Sequence, residues 1–213
     1  MDSVHGRLPS LHAILDVEVA AAANWDSLDL ARVFLDGGAP LIQLRAKHLN
    51  SGSFLALCDA VVGAAEPYGT RIVVNDRADL ARMSGSAGVH VGQDDLAPRA
   101  ARLLLGPGAV VGHSTHTVAQ IQAAVNEPLT YIAIGPVFGT RTKATGYEPV
   151  GLARVSEAAR LSLGLPVVAI GGITLDTAPA VIAAGASSVA VIADLLATGD
   201  PGRRVRAFVD ALA

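Results

Sequence analysis

Short apolar runs alternate with longer alanine- and leucine-rich stretches along the whole chain. Within each run the apolar residues are continuous instead of alternating with polar ones, which is typical of parallel strands covered on both faces. The pattern predicts eight strands: Leu11–Val17, Leu41–Arg45, Arg71–Asn75, Gly88–Gly92, Val110–Ser114, Tyr131–Pro136, Val167–Gly171 and Ser188–Ala193.

The stretches between the apolar runs predict helices, and residues typical of helix ends support them. Thr117 can cap the stretch that begins at Val118, and Gly37, Gly164 and Gly185 follow helical stretches. The predicted helices are Ser27–Asp36, Ser51–Tyr68, Arg77–Met83, Ala97–Leu105, Val118–Val125, Val150–Leu163, Leu175–Ala184 and Pro201–Leu212.

Repeated strand–helix units predict an α/β protein, and eight of them favour a closed (β/α)8 TIM barrel. An open doubly wound sheet is the alternative, because closure cannot be read from a sequence. No proline- or serine-rich linker interrupts the 213 residues. We therefore expect residues 1–213 to form a single TIM-barrel domain.

Polar residues lie where the predicted strands end, and in a parallel barrel those ends form the mouth that contains the active site. Gln43 and Arg45 lie two residues apart on the second strand, so they share a direction, which Lys47 continues if the chain stays extended. Glutamine can pair with the edge of a heterocycle, while arginine and lysine can bind an anion. The alternative is polar filling at the barrel end or a solvated edge.

Aspartates follow the next two strands. Asp76 comes directly after Asn75, and Asp94 and Asp95 follow the fourth strand. Carboxylates from neighbouring strand ends can share one magnesium ion, which keeps several waters and takes further oxygens from substrate phosphates. We expect Asp76 and Asp95 to be the ligands, with Asp94 as a substitute for Asp95 or a support to it. Capping of the helices that follow is the alternative role.

Histidines and hydroxyl groups lie near the fourth and fifth strand ends. His90 is inside an apolar strand, where a hydrogen-bonded core histidine is the commoner interpretation, and Gln93 lies just past the strand end. His113 and His116 flank Ser114 and could form an acid–base site or only line the strand end. The sequence indicates no aspartate partner for them, so a hydrolytic triad is not expected.

A basic loop and a glycine pair follow the sixth and seventh strands. Thr140-Arg141-Thr142-Lys143 offers hydroxyls, backbone amides and cations, which match a phosphate or pyrophosphate. An ordinary basic loop is the alternative interpretation. Gly171-Gly172 lies where TIM barrels commonly bind a phosphate group.

Composition narrows the function classes. The net charge is −3 with dispersed lysines and arginines, which argues against a nucleic-acid-binding face. No apolar run approaches the roughly 18 residues of a membrane span, and the N-terminus lacks the pattern of a signal peptide. The single cysteine, Cys58, fits a reducing compartment, so we expect a cytoplasmic protein. The cations and carboxylates at the strand ends predict an anionic substrate that binds with Mg²⁺.

The ordered set of these motifs resembles the thiamine phosphate synthase (thiamine-phosphate pyrophosphorylase) family over about residues 41–195. The motifs are Gln-x-Arg-x-Lys, Asn-Asp, Gly-x-His-x-Gly-Gln-x-Asp, Gly-x-Ser-x-His, Thr-x-Thr-Lys and Ile-Gly-Gly-Ile. The resemblance implies a transferase that condenses hydroxymethylpyrimidine pyrophosphate with thiazole phosphate and releases thiamine phosphate and pyrophosphate. It also implies a dissociative mechanism, in which pyrophosphate leaves before the thiazole nitrogen attacks.

The resemblance implies site residues as well as a reaction. Substrate contacts are expected from Gln43, Arg45, Lys47, Asn75, Gln93, Ser114, Thr140, Thr142, Lys143, Gly172 and Ile192. Among these, Arg45, Lys47, Ser114 and Lys143 are the expected catalytic residues, and Asp76 and Asp95 the expected Mg²⁺ ligands. The expected partners are small-molecule substrates, and a homo-oligomer is possible.

Three positions depart from the pattern of that family. His12 occupies a first-strand position where the family often has an aromatic residue such as tyrosine, and Ser187-Ser188 replaces an expected Asp-Gly. Ala193-Asp194 stands where the family often has a small hydroxyl residue, and a carboxylate near a bound phosphate would repel it unless it points away. The thiazole-phosphate half of the site is therefore where this chain is expected to differ.

Three other functions compete with the synthase. An unrelated phosphate-binding barrel isomerase would explain Gly171-Gly172 but not the predicted metal and pyrophosphate motifs. A related thiazole tautomerase on the same barrel would use a histidine at the position of His116, but it would need neither Gln43 nor the Thr-x-Thr-Lys loop. A catalytically inactive homologue that binds phosphate ligands is expected to have lost its metal ligands, whereas Asp76 and Asp95 are both present.

Overall fold

The computed structural model describes residues 8–139 and 148–213, and within them eight parallel strands form a closed barrel in sequence order. Strand β8 pairs with β1 and completes the closure, with His12 opposite Ala190. The prediction of a TIM barrel is confirmed, and the open doubly wound alternative is wrong. The strands are β1 (Leu11–Asp16), β2 (Leu41–Arg45), β3 (Arg71–Asn75), β4 (Gly88–Val91), β5 (Val110–Thr115), β6 (Tyr131–Ile134), β7 (Val167–Ile170) and β8 (Ser188–Val191).

Helices follow the strands and form the outer layer. They are α1 (Val17–Ala22), α2 (Ser27–Asp36), α3 (Ser51–Ala65), α4 (Ala78–Met83), α5 (Pro98–Leu105), α6 (Val118–Ala124), α7 (Gly151–Leu161), α8 (Ala178–Ala183) and α9 (Pro201–Ala211). Short 3-10 turns cover Glu66–Tyr68 and Ala193–Leu196. In the part of the chain that the structure describes, no helix is both long and apolar enough to cross a membrane.

Helix α1 was not predicted, and the first strand is one residue shorter than expected. Asp16 ends the strand because its side chain accepts a hydrogen bond from the backbone N–H of Val19 at 3.0 Å and so caps the helix. Val17 is therefore the first helical residue and not the last strand residue.

The inward-facing side chains of β2 become more polar toward the C-terminal mouth of the barrel. Along β2, the inward positions are Leu41, then Gln43, then Arg45. Leu41 packs with other inward residues such as Val73 and Val168 in an apolar layer, while Gln43 is buried above it. On this strand, an apolar layer therefore lies below the polar groups of the mouth.

Candidate active site

A lysine and two aspartates meet at the ends of β2, β3 and β4. The ammonium of Lys47 forms an ion pair with the carboxylate of Asp76, and the carboxyl group of Asp95 lies close enough to Asp76 for each to shift the pKa of the other. The backbone N–H of Gly92 donates to Asp95 Oδ2 at 2.7 Å and fixes that carboxyl group. The structure thus brings together three residues that the sequence placed on separate strand ends.

The backbone turns sharply at Asp76, which has a φ of 65°, a left-handed conformation that aspartate adopts more readily than most residues. Its N–H donates to the carbonyl of His90 at 2.7 Å, which extends the β3–β4 pairing by one residue. Neither Asp76 nor Asp95 caps a helix, because α4 and α5 begin after Arg77 and Ala97, whose side chains make no capping bond. The capping interpretation of these two aspartates is therefore wrong.

The two carboxyl groups differ in proton affinity. Burial raises the pKa of Asp76 above its usual range, and its hydrogen bond with Asp95 adds to that effect while Lys47 opposes it. Burial also disfavours ionisation of Asp95, but the hydrogen bonds from Asp76 and Gly92 N–H outweigh it and lower the pKa of Asp95. Of the two carboxyl groups, Asp95 therefore gives up its proton more readily than Asp76.

This pair has the donor chemistry that suits a hard divalent cation, because two adjacent carboxyl groups supply the oxygen ligands that such a cation prefers. Within the described ranges, no third histidine, cysteine, aspartate or glutamate joins them in a metal-binding group. Two protein carboxylates are nevertheless a common complement for Mg²⁺, which takes its remaining ligands from water and phosphate. The residues fit a magnesium ion that is completed by its substrate.

An aspartate that sequence reasoning missed holds Arg45. The guanidinium of Arg45 forms an ion pair with Asp16 Oδ2, and the two residues are direct partners in the β1–β2 register. Asp16 Oδ1 at the same time caps α1. The sequence contained a signal for this residue, because Asp16 lies at the end of an apolar run, as the predicted site residues do.

A second group of polar side chains lies on β4 and β5. His90 is buried and its ring nitrogens contact the hydroxyls of Tyr131 and Ser114, each at 2.9 Å, so the interpretation of a hydrogen-bonded core histidine is confirmed. The amide nitrogen of Gln93 donates to the carbonyl of Ser114 at 2.6 Å and contacts His113 Nε2 at 2.9 Å. Gln93 therefore links the end of β4 to β5 beside Ser114.

His116 points toward the end of β6. Its Nδ1 lies 2.6 Å from the carbonyl oxygen of Gly135, so Nδ1 is the protonated donor of that bond. His113 is oriented in the same manner, since its Nδ1 lies 3.2 Å from the carbonyl of Val91. Burial lowers the pKa of His113.

The glycine pair after β7 packs against the chain that leaves β6. Gly171 and Gly172 have φ values of 105° and 62°, and a Cβ on Gly172 would lie 2.5 Å from the carbonyl oxygen of Gly139. Only glycine fits such a position. Thr140, Thr142 and Lys143 lie outside the described residues.

The contacts of Asp194, just after β8, account for one of the departures from the family pattern. Asp194 Oδ2 accepts hydrogen bonds from Arg204 Nη2 at 2.7 Å, from Arg204 Nε at 3.0 Å and from the backbone N–H of Leu175 at 3.0 Å. The carboxylate is thus neutralised by a helix α9 side chain, and its repulsion of a nearby anion is offset. Ile192 packs against the apolar layer inside the barrel.

Comparison with known proteins identifies the family of this chain. A family model described as thiamine monophosphate synthase matches residues 12–195. The thiamine-phosphate synthase of Koribacter versatilis is 43% identical over 208 residues, which cover 97% of each chain, and that of Roseiflexus castenholzii is 39% identical over 193 residues, which cover 91% of this chain and 84% of the relative. The solved structure of thiamine phosphate pyrophosphorylase from Pyrococcus furiosus is 25% identical, covers 95% of both chains and superposes with a TM-score of 0.85. The chain therefore belongs to the thiamine monophosphate synthase family.

Proposed function

We propose that the site at the mouth of the barrel condenses hydroxymethylpyrimidine pyrophosphate with thiazole phosphate to give thiamine phosphate and pyrophosphate. Relatives named thiamine-phosphate synthase match the chain over nearly its full length, which supports this activity. The observation that carries the proposal is the contact of Lys47 with the Asp76–Asp95 pair, because it combines a cation and metal-binding carboxylates where a pyrophosphate needs both.

The pyrophosphate of the pyrimidine substrate is expected to bind among Arg45, Lys47 and the Asp76–Asp95 pair. Asp76 and Asp95 would hold a magnesium ion, which supplies charge neutralisation to the pyrophosphate when bound. Asp16 keeps the guanidinium of Arg45 in place. Fixed positive charge around a leaving group stabilises the negative charge that grows on it as its bond to the pyrimidine methylene breaks.

The remaining substrate contacts follow from position. Gln43 and Asn75 are buried on neighbouring strands below the charged groups, where their amides can pair with the edge of the pyrimidine ring. Gly172 and Ile192, at the ends of β7 and β8, are expected to contact the thiazole phosphate. Thr140, Thr142 and Lys143 are expected to contact the pyrophosphate. The chemistry needs no general base, since the thiazole nitrogen attacks with its own lone pair.

The test is formation of thiamine phosphate from the two substrates and Mg²⁺, detected after oxidation to the fluorescent thiochrome. Product that is lost with a chelator and restored by excess Mg²⁺ supports the proposal. Asp95→Asn should abolish this activity, while Asp94→Asn, which changes the exposed neighbour, should retain it. Loss in Asp94→Asn alone would assign the ligand to Asp94, and no product from the folded wild-type protein would reject the synthase reaction.

A thiazole tautomerase is the second candidate, and His116 is the residue that favours it. Because Nδ1 donates to the Gly135 carbonyl, Nε2 is the ring nitrogen that would act as a base in that reaction. The same orientation suits a synthase, so His116 does not separate the two. Isomerisation of a thiazole carboxylate phosphate in the absence of the pyrimidine substrate, lost in His116→Asn, would identify the tautomerase.

A further inference from the structure

A row of three hydrogen-bonded side chains crosses the barrel interior from β6 to β5. The hydroxyl of Tyr131 lies 2.9 Å from His90 Nδ1, and His90 Nε2 lies 2.9 Å from Ser114 Oγ. Tyr131 and His90 are buried, with 1% and 8% of their surfaces exposed, while Ser114 is half-buried at the strand end. The row thus leads from the closed interior to a residue of the proposed substrate site.

The barrel is shaped to hold this tyrosine. Gly112 on β5 leaves the space that the phenol ring fills, because a Cβ at that position would lie 2.1 Å from Tyr131 Cζ. The ring of His12 packs edge-on against Tyr131 with a centroid separation of 5.1 Å and an interplanar angle of 89°. The ring of His90 stacks on Tyr131 at 5.6 Å. The phenol has little freedom to rotate away from its hydrogen bond.

The direction of the two hydrogen bonds follows from the tyrosine. Burial raises the pKa of Tyr131 above its usual range, so its hydroxyl keeps its proton, and a buried O–H needs an acceptor. Among the described residues, His90 Nδ1 is the one acceptor that this hydroxyl contacts. Tyr131 therefore donates to Nδ1, and the proton of the neutral imidazole lies on Nε2.

His90 Nε2–H in turn donates to Ser114 Oγ. Because the oxygen of Ser114 accepts this bond, its own hydroxyl hydrogen is directed elsewhere. We propose that Tyr131 and His90 are positioning residues that fix Ser114 as a hydrogen-bond donor toward the bound substrate. This inference deepens the proposed function, since it takes Ser114 to be a substrate contact.

A fixed donor selects the kind of group that Ser114 can bind. A phosphate oxygen or a ring nitrogen can accept its hydrogen bond, whereas an amine or amide N–H cannot. A leaving pyrophosphate gains negative charge on its oxygens as its bond breaks, so a donor aimed at it binds the transition state more tightly than the ground state. Loss of the row should therefore reduce kcat more than it changes KM.

The row can be tested without turnover by two-bond ¹H–¹⁵N correlation spectra of the histidine side chains in the wild-type protein. The signals of His90 are assigned by their loss in His90→Gln. We expect a protonated Nε2 and an unprotonated Nδ1, with the tautomer becoming mixed in Tyr131→Phe. Tyr68→Phe is the matched control, because Tyr68 loses a surface hydroxyl that contacts Asp36 at 2.5 Å. A protonated Nδ1 in the wild-type protein would overturn the proposal.

The catalytic consequence is tested by combining Tyr131→Phe with Ser114→Ala. In the wild-type background, Tyr131→Phe should lower kcat roughly tenfold. This is the order expected when the hydrogen bond from Ser114 to a charged phosphate group is lost. In the Ser114→Ala background the same change should have little further effect, because the tyrosine acts through the serine. An equal loss in both backgrounds would show that Tyr131 has only a structural role.

These two arms separate the present inference from the proposed reaction. If the wild-type protein makes no thiamine phosphate, the reaction is wrong, but the spectra still report the tautomer of His90. If the protein is active and the spectra show the other tautomer, the positioning role fails and the reaction stands.

Discussion

Replacing His12 by leucine should remove a large part of the acid sensitivity of this fold. His12 is fully buried inside the barrel, and neither of its ring nitrogens has a hydrogen-bond partner among the described residues. Burial is the main cause that lowers its pKa from 6.5 to about 3, and the nearby side chains of His90 and Arg71 act in the same direction. The folded protein therefore keeps this ring neutral in mild acid.

The sign of the effect follows from the two states. As the pH falls below 6.5, the unfolded chain binds a proton on this histidine while the folded chain does not, so the free energy of unfolding decreases. The stabilisation is fully present above pH 6.5 and is lost between 6.5 and about 3, at about 1.4 kcal/mol per pH unit. Between pH 7.5 and pH 5.0 the loss from this residue is about 2 kcal/mol, a large fraction of a typical domain stability.

The measurement is urea denaturation followed by circular dichroism at pH 7.5, 6.0 and 5.0. Other groups also titrate in this range, so the informative quantity is the difference between wild type and His12→Leu. That difference should grow by about 2 kcal/mol toward pH 5.0, in favour of the variant. His48→Asn, which changes an exposed histidine, should follow the wild type. Equal pH dependence in wild type and His12→Leu would refute the reasoning.

Two further substitutions test the strand-seven and strand-eight ends. Gly172→Ala should raise the KM for thiazole phosphate, because its Cβ would lie 2.5 Å from the Gly139 carbonyl. Gly38→Ala is the control, because Gly38 also has a positive φ, of 85°, but a Cβ there would have nothing within 4 Å. Comparing the two variants in the same steady-state assay separates the effect of the contact from that of backbone strain. Asp194→Ala should lower the free energy of unfolding by about 1–3 kcal/mol, because Arg204 loses its half-buried partner. Thermal denaturation measures this loss, and an unchanged Tm would show that the ion pair contributes nothing.

Much of the fold could be predicted because its signals are local. Continuous apolar runs marked the eight strands, and the polar residues at their ends marked the mouth of the barrel. Helix α1 was not predicted, because the capping role of Asp16 depends on one hydrogen bond from Val19 N–H to its side chain. In addition, the residues that follow, Val17 to Ala22, continue the apolar pattern of the strand. Closure depends on pairing between β8 and β1, which joins opposite ends of the chain.

The site was predictable in its residue types but not in its internal contacts. The sequence indicated Lys47, Asp76 and Asp95, since each follows a strand, but not that their surroundings shift the pKa values of the two carboxyl groups in opposite directions. Tyr131 could not be found, because it reads as the first residue of an apolar strand. Its role depends on a contact with His90 across the barrel, and such contacts leave no trace in a local pattern.

Asp16 ties the position of Arg45 to the folding of a short helix. One carboxylate oxygen caps α1 and the other holds Arg45, so any fluctuation that opens this helix also releases the guanidinium from its position. Short helices open at a lower free energy than the barrel they flank. On warming, the protein should therefore lose activity before its strands separate, so that inactivation precedes melting and amide exchange near Val19 reports the step between them.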